Sequence, residues 1–383
     1  MKLVRLILLV ALLFSVACLP IFYFLYKIRN EASEENFFFG VSFGLNTTSE
    51  AKRLIDKVKE YTNFFVINSW EISTNETALN EICEYAVNAK MHFIVFFDFI
   101  SHVAYPWHLT WLDTARGRWG SHFLGVYLYD EPGGRQIDQG EWDEEETLGN
   151  VSDYSEAAKS FVTRIPATWS MQDLKTRCIP VFTSDYALYW FDYLAGYDAI
   201  FVELGWNHST TKHIALDRGA ANVQDKDWGA IIVWTYNNPP YIASGTQILQ
   251  DMIAAYRAGA KYVIVFNYPK IRGNDYGILE EQHFTAMKTF WDLTRSTQKD
   301  PLEKVEGEVA FILPKDYGWG MRRSDDTIWL PKWGSDDLSP LILENMNKMI
   351  EKYDLRLDII YDDTTFDFEE KYSEIFFWND TTN

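Results

Sequence analysis

Residues 123–132 read FLGVYLYDEP. From Phe123 to Tyr129 the run is apolar and aromatic almost without a break, as expected of a strand covered on both faces. It then changes to an acidic tip, Asp130 and Glu131, closed by Pro132 and followed by Gly133 and Gly134. Proline cannot donate to a sheet ladder, so the chain turns outward there.

Seven further runs of the same kind lie at Phe37–Leu45, Asn63–Trp70, His92–Ile100, Ile179–Asp185, Ala199–Leu204, Gly229–Tyr236 and Tyr262–Tyr268. Between them are amphipathic helical patterns, including Ser49–Tyr61, Glu76–Ala89, Tyr154–Arg164 and Gly245–Ala258, several opened by Ser, Thr or Asn. Gly259 sits where a helix should stop. Strands alternating with helices read as βα units of a parallel sheet, and this arrangement predicts a (β/α)8 TIM barrel, which uses about 250 residues. The chain has 383, which leaves room for a smaller module. The barrel is expected over 36–298, closed by a helix at Glu280–Ser296. Residues 299–383 then offer strands at Glu308–Leu313, Leu357–Tyr361 and Glu374–Trp378, a helix at Leu338–Tyr353, and a loop with Trp319, Trp329 and Trp333. That order predicts a small parallel α/β module of structural or binding role.

Residues 6–26 are apolar and uncharged over about the length of a bilayer core. Lys2 and Arg5 precede them, and acidic residues follow Lys27 and Arg29. The expectation is a single-pass anchor and stalk over 1–35, with the N-terminus cytoplasmic and the barrel outside; a cleaved signal peptide is the alternative. Sequons at Asn46, Asn75, Asn150, Asn207 and Asn379 agree with external placement. The cysteines Cys18, Cys83 and Cys178 have no metal-knuckle spacing, and His92, His102, His108 and His122 lack that of a helix-borne zinc motif. No cofactor or metal is expected. The net charge of −20 argues against nucleic acid as a partner, since phosphate backbones are bound by clustered Lys and Arg.

Barrel enzymes place their chemistry at the C-terminal ends of the strands. Those ends supply Asn68 and Trp70, then Asp98, then Tyr129, Asp130 and Glu131, then Asp185. The later strands add Glu203, Trp206 and Asn207, then Trp234 and Tyr236, then Asn267 and Tyr268. Carboxylates, amides, indoles and phenols around one mouth suit carbohydrate, with rings packing on pyranose faces and polar groups fixing hydroxyls. Glycoside hydrolysis needs one carboxylic acid to protonate the leaving oxygen and a second group to support the transition state. Glu131 is the candidate acid, and Glu203 or Asp185 the candidate nucleophile or base. Each carboxylate also has a structural alternative: Asp130 as the cap of the following turn, Glu203 paired with an Arg such as Arg218, Asp98 holding a loop. A non-catalytic carbohydrate-binding or cell-surface barrel is the rival function.

The stretch from Gly125 to Pro132 resembles the strand-four signature of TIM-barrel glycoside hydrolases, in which Asn-Glu-Pro marks the acid/base Glu of the large retaining clan. Here Asp130 stands for the Asn, and strand seven, Gly229–Tyr236, lacks the nucleophilic Glu of that clan. The Asp130-Glu131 pair is similar instead to that of barrel hexosaminidases, where the substrate's own acetamido group attacks the anomeric carbon. The resemblance implies that Asp130 orients that group, Glu131 protonates the leaving oxygen, and Tyr236 or Tyr268 steadies the acetamido oxygen. The C-terminal module is similar to the amidotransferase-like domains of some barrel glycosidases, without a Cys nucleophile or a Gly-rich phosphate loop.

Overall fold

The computed structural model describes residues 37–97, 106–138, 148–235, 241–296, 302–330 and 332–380. Eight parallel strands close into a barrel in chain order: β1 Phe38–Phe43, β2 Phe64–Ile67, β3 His92–Phe96, β4 Phe123–Tyr127, β5 Val181–Asp185, β6 Ala199–Leu204, β7 Asp227–Ile232 and β8 Tyr262–Val265. Closure is made by β1 on β8, with Phe38 opposite Tyr262 and Val41 opposite Val265. All eight expected strands form; β2, β3, β4, β7 and β8 end short of the polar residues assigned to their tips, while β5 includes Asp185 and β6 includes Glu203. Those tips leave the ladder to become the loops around the mouth.

Inward-facing residues fill the barrel with aromatic layers. Phe38 stacks on Tyr262 at 5.1 Å, and Phe182 on Phe201 at 5.7 Å. The helices begin where their caps predict. Thr47 and Glu50 form a capping box for Thr48–Val58, and Asp153 caps Tyr154–Arg164. Helix Gly245–Arg257 ends before Gly259, whose φ of 91° is left-handed.

A three-stranded parallel sheet follows, with β9 Val309–Leu313 between β10 Leu357–Tyr361 and β11 Glu374–Phe377. It belongs to the same compact unit as the barrel, Phe38–Asn383. Arg218, on helix Thr210–Val223, is 2% exposed and donates to Asp358 of β10 at 2.7 Å. It is therefore the partner of Asp358 and not of Glu203. Arg218 also donates to the carbonyls of Val305, Leu355 and Leu357, while Asn222 and Tyr372 each donate to the second Asp358 oxygen at 3.0 Å. Trp329 packs on Phe191 at 4.8 Å and on Phe161 at 5.7 Å, so the tryptophan-bearing loop is sealed onto barrel helices.

The expected single-pass membrane placement is corrected by one finding: among the described residues no helix is long and apolar enough to cross a membrane. The anchor read over residues 6–26 lies outside the described residues, as do Asp98 and Tyr236.

Candidate active site

A cleft of about 480 Å³ opens at the C-terminal ends of the strands. Side chains alternate across a strand, so residues two apart share a face. In β6, Ala199 and Phe201 lie in the barrel core and Glu203 follows them into the cleft. In β5, Phe182 points inward and Ser184 with it, whereas Asp185 takes the opposite face and is fully buried outside the cleft. Tyr127 is the last inward residue of β4.

Asp130, Glu131 and Glu203 meet in this cleft. Tyr127 Oη is hydrogen-bonded to Asp130 Oδ1 at 2.6 Å and to Ser184 Oγ at 2.7 Å. Ser184 Oγ in turn lies 2.7 Å from Glu203 Oε1, and Glu203 shares a hydrogen bond with Glu131. Burial, followed by the charges of Asp130 and Asp185, pushes the Glu131 carboxyl up to about 8. Burial and the charges of Glu131 and Asp130 push Glu203 well above the usual carboxylate range. Asp130 is more open, with a side chain 39% exposed and the Arg135 guanidinium at 3.8 Å. Enclosure in the cleft raises its carboxyl, opposed by Tyr127 and Arg135.

Asp185 has a different task from the nucleophile or base expected of it. Its Oδ2 accepts from the Gly133 amide at 2.6 Å, and its Oδ1 accepts from the amides of Gly134, Tyr186 and Ala187. The carboxylate thus caps the short helix Pro132–Asp138 and fixes the turn that carries Glu131. The two glycines are required by this approach. A Cβ on Gly133 would lie 2.5 Å from the Ala187 carbonyl, and one on Gly134 would fall 2.2 Å from the Tyr186 ring. Asp130 is not the cap of the turn, since its oxygen is engaged by Tyr127. Asp185→Ala is expected to lower stability by about 2 kcal/mol, because several buried amides lose their acceptor. A urea melt reads the change in midpoint.

The tip itself is strained, with Tyr129 at φ 55° and Glu131 at φ 52°, both left-handed without being glycine. It is held from outside the barrel too. Arg322 donates to both oxygens of Asp138 at 2.6 and 2.7 Å, Thr327 donates to the Ile137 carbonyl at 2.8 Å, and Gln136 reaches the Leu330 carbonyl. The C-terminal segment therefore braces the helix that follows Glu131.

Of the other expected residues, Asn68, Trp70, Trp206, Trp234 and Tyr268 line the cleft. Trp70 is 50% and Tyr268 45% exposed. Trp206 and Trp234 meet edge-on at 5.6 Å, and Trp234 stacks on Tyr268 at 6.2 Å. Tyr129, Asn207 and Asn267 do not line it. The Tyr129 carbonyl accepts from Thr183, Asn207 is exposed in a left-handed turn, and the buried Asn267 accepts the Ile278 amide at 3.1 Å. Sequence reasoning missed Tyr127 and Ser184. Strand parity is the signal that finds Ser184, which shares a face with Phe182, whereas in β4 an irregular register puts Leu124 and Tyr127, three apart, on the core and hides Tyr127 from that rule. Among the described residues no group of three or more His, Cys, Asp or Glu is arranged to hold a metal ion.

No family model matches the chain, and no curated protein matches it either. Similar solved structures include an endo-1,4-beta-mannanase from Rhizomucor miehei, at 10% identity over 67% of this chain and 94% of that one, TM-score 0.43. An endo-1,4-beta-xylanase from Caldicellulosiruptor owensensis gives 11% identity, 67% and 98% coverage and TM-score 0.42. A 3-deoxy-D-arabino-heptulosonate 7-phosphate synthase from Thermotoga maritima gives 10%, 70%, 89% and 0.39. Glycoside hydrolases recur among these neighbours beside enzymes of other chemistry. At such similarity no activity passes from them to this chain, and the barrel stands on its own strand order.

Proposed function

We propose that the cleft is the active site of a glycoside hydrolase, with Glu131 as the general acid and Asp130 as the anionic group beside it. The observation that carries this reading is a carboxyl that keeps its proton to about pH 8 in a cleft walled by indole and phenol rings. A general acid must hold its proton at the working pH and surrender it to the leaving oxygen. Tyr127 donates to Asp130 and Arg135 stands beside it, and both favour its charged form against the rise that burial imposes. In substrate-assisted hydrolysis Asp130 holds the acetamido N–H of a 2-acetamido sugar, the acetamido oxygen attacks the anomeric carbon, and Glu131 protonates the departing oxygen. The Trp206, Trp234 and Tyr268 rings pack on the sugar face.

One observation favours Glu203 as the second group. It faces Glu131 in the same cleft, within reach of its carboxyl, as the second carboxylate of a glycosidase must. Against it, a carboxyl so strongly held protonated is a poor nucleophile. Paired aryl glycosides with and without the 2-acetamido group separate the readings. Turnover restricted to the acetamido sugars is the expected result. Equal turnover of plain hexosides transfers the second role to Glu203, and saturable binding with no turnover of any aryl glycoside overturns the hydrolase in favour of a carbohydrate-binding barrel.

A further inference from the structure

Helix Pro132–Asp138 opens directly after Glu131, and its last residue is gripped by a cation 184 positions further along the chain. Asp138 Oδ2 accepts from Arg322 Nη1 at 2.7 Å and Oδ1 from Nη2 at 2.6 Å. Tyr186, which follows the capping Asp185, donates to the same carboxylate at 2.8 Å, and the Arg322 guanidinium stands 5.7 Å from its ring. The other edge of the guanidinium is fixed as well. Arg322 Nε and Nη2 each donate to an oxygen of Asp326 at 2.8 Å, and Asp326 is buried. Gly320 leaves room for that carboxylate, since a Cβ there would lie 2.2 Å from Asp326 Oδ2. A planar fork held by two carboxylates, each through paired bonds, keeps one orientation.

That grip answers a local weakness. A seven-residue helix is too short to stand alone in water, and Tyr129 and Glu131 hold left-handed backbone that persists only where the surroundings over-determine it. Asp185 secures the first turn through the Gly133 and Gly134 amides. Arg322 at Asp138 and Thr327 at the Ile137 carbonyl secure the last. The Arg135 amide donates to the Glu131 carbonyl at 2.9 Å, and the Glu131 amide donates to the Ser184 carbonyl at 3.1 Å. Tilting the helix therefore turns the Glu131 peptide, and with it the side chain, against β5.

We propose that Arg322 is a positioning residue for Glu131: clamped by Asp326, it anchors Asp138 and so holds the helix, and the strained turn before it, in the one orientation that directs the Glu131 carboxyl into the cleft. Its effect on turnover rests on the acid role given to Glu131 above; its effect on the placement of that carboxyl does not. The C-terminal segment is then a working part of the site, although Arg322 does not line the cleft.

Titration of the Glu131 carboxyl by carbon NMR on the full chain tests this, the signal being the one that Glu131→Gln lacks. In the wild type it is expected near pH 8. The groups that act on it are Asp130, Asp185, Glu203 and Arg135, with Tyr186 packed close by. Arg322→Lys alters none of these and conserves the charge, but an ammonium cannot grip two carboxylates through paired bonds. Asp138→Asn keeps the shape and removes the anion. Each is expected to lower the titration by about one pH unit, as water returns to the carboxyl, and the double variant is expected to lower it no further. With substrate, kcat on poor leaving groups should fall about tenfold or more while KM changes little. A merely structural role would lower the urea midpoint and leave the titration in place. Near-ultraviolet circular dichroism checks folding, and Thr327→Val, which removes only the bond to Ile137, is the milder variant expected to move the titration in the same direction. A titration still near that of the wild type in the folded variants overturns the proposal. Since the titration needs no substrate, a chain that hydrolyses nothing can still show the displacement, and a hydrolase that does not show it keeps Glu131 as its acid without this support.

Discussion

Glu131→Gln is expected to lower turnover of glycosides with poor leaving groups by about 10²–10⁴-fold, the usual contribution of a positioned general acid. Glutamine fills the same space and hydrogen-bonds at the same place, but it has no proton to give. Binding of an unhydrolysed sugar, measured by calorimetry, should change little, and substrates with activated aryl leaving groups should lose least. An unaltered rate on poor leaving groups would remove Glu131 from the chemistry. In the wild-type protein kcat/KM is expected to fall as pH rises past about 8, when the Glu131 carboxyl loses its proton.

The same substitution should stabilise the fold at alkaline pH. Glu131 titrates near 8 in the native state, against 4.5 as its ordinary value. Between those values the native chain holds a proton that the unfolded chain has released, so stability declines as pH rises through the window. The loss is absent below about 4.5 and complete above about 8. Glutamine carries no charge in either state and abolishes this term, on the order of a few kcal/mol. Urea melts at pH 5 and pH 9 should therefore converge in Glu131→Gln relative to the wild type. A variant inactive on glycosides and more stable at pH 9 is the outcome expected where a strained, desolvated acid has been kept for function.

Asp358→Ala is expected to cost about 3–5 kcal/mol, because it leaves the Arg218 guanidinium buried without its anion. Arg218 and Asp358 are 2% and 0% exposed, and every donor and acceptor between them has a partner within the fold. Helix Thr210–Val223 would lose its tie to β10. Arg218→Met combined with Asp358→Leu removes both charges and should recover most of the loss, since an apolar pair of similar volume avoids the desolvation of two ions. Denaturant unfolding of the two single variants and the double variant measures the coupling. Equal destabilisation by the double variant would mean that the polar contacts with Val305, Leu355 and Leu357, rather than an unpaired charge, hold the helix in place.

Much of this architecture could be read from local patterns. The runs that became β1 to β8 were identifiable because a strand buried on both faces must be apolar along its whole length. Helix Tyr154–Arg164 was bounded by its cap to the residue. Glu131 and Asp130 are legible because the barrel rule points to strand ends, and Glu203 because it lies one residue before the end of β6. Asp185 was misplaced for want of one further step. It ends β5, but Phe182 and Ser184 own the inward face, and Asp185 faces the amides of Gly133 and Gly134.

By itself, then, the sequence determined the eight-fold alternation and the short list of polar strand ends, because both are written in the period and composition of neighbouring residues. Only the tertiary structure decided the partners. Ser184 stands 57 positions from Tyr127, and Arg218 pairs with Asp358 across 140. It also decided the protonation of the acidic tip. A carboxyl's pKa is set by the water removed from it and by the groups brought near it, and for Glu131 these are burial first, then its neighbour Asp130, then Asp185 of β5 and Glu203 of β6, whose distance from it in space no local pattern records.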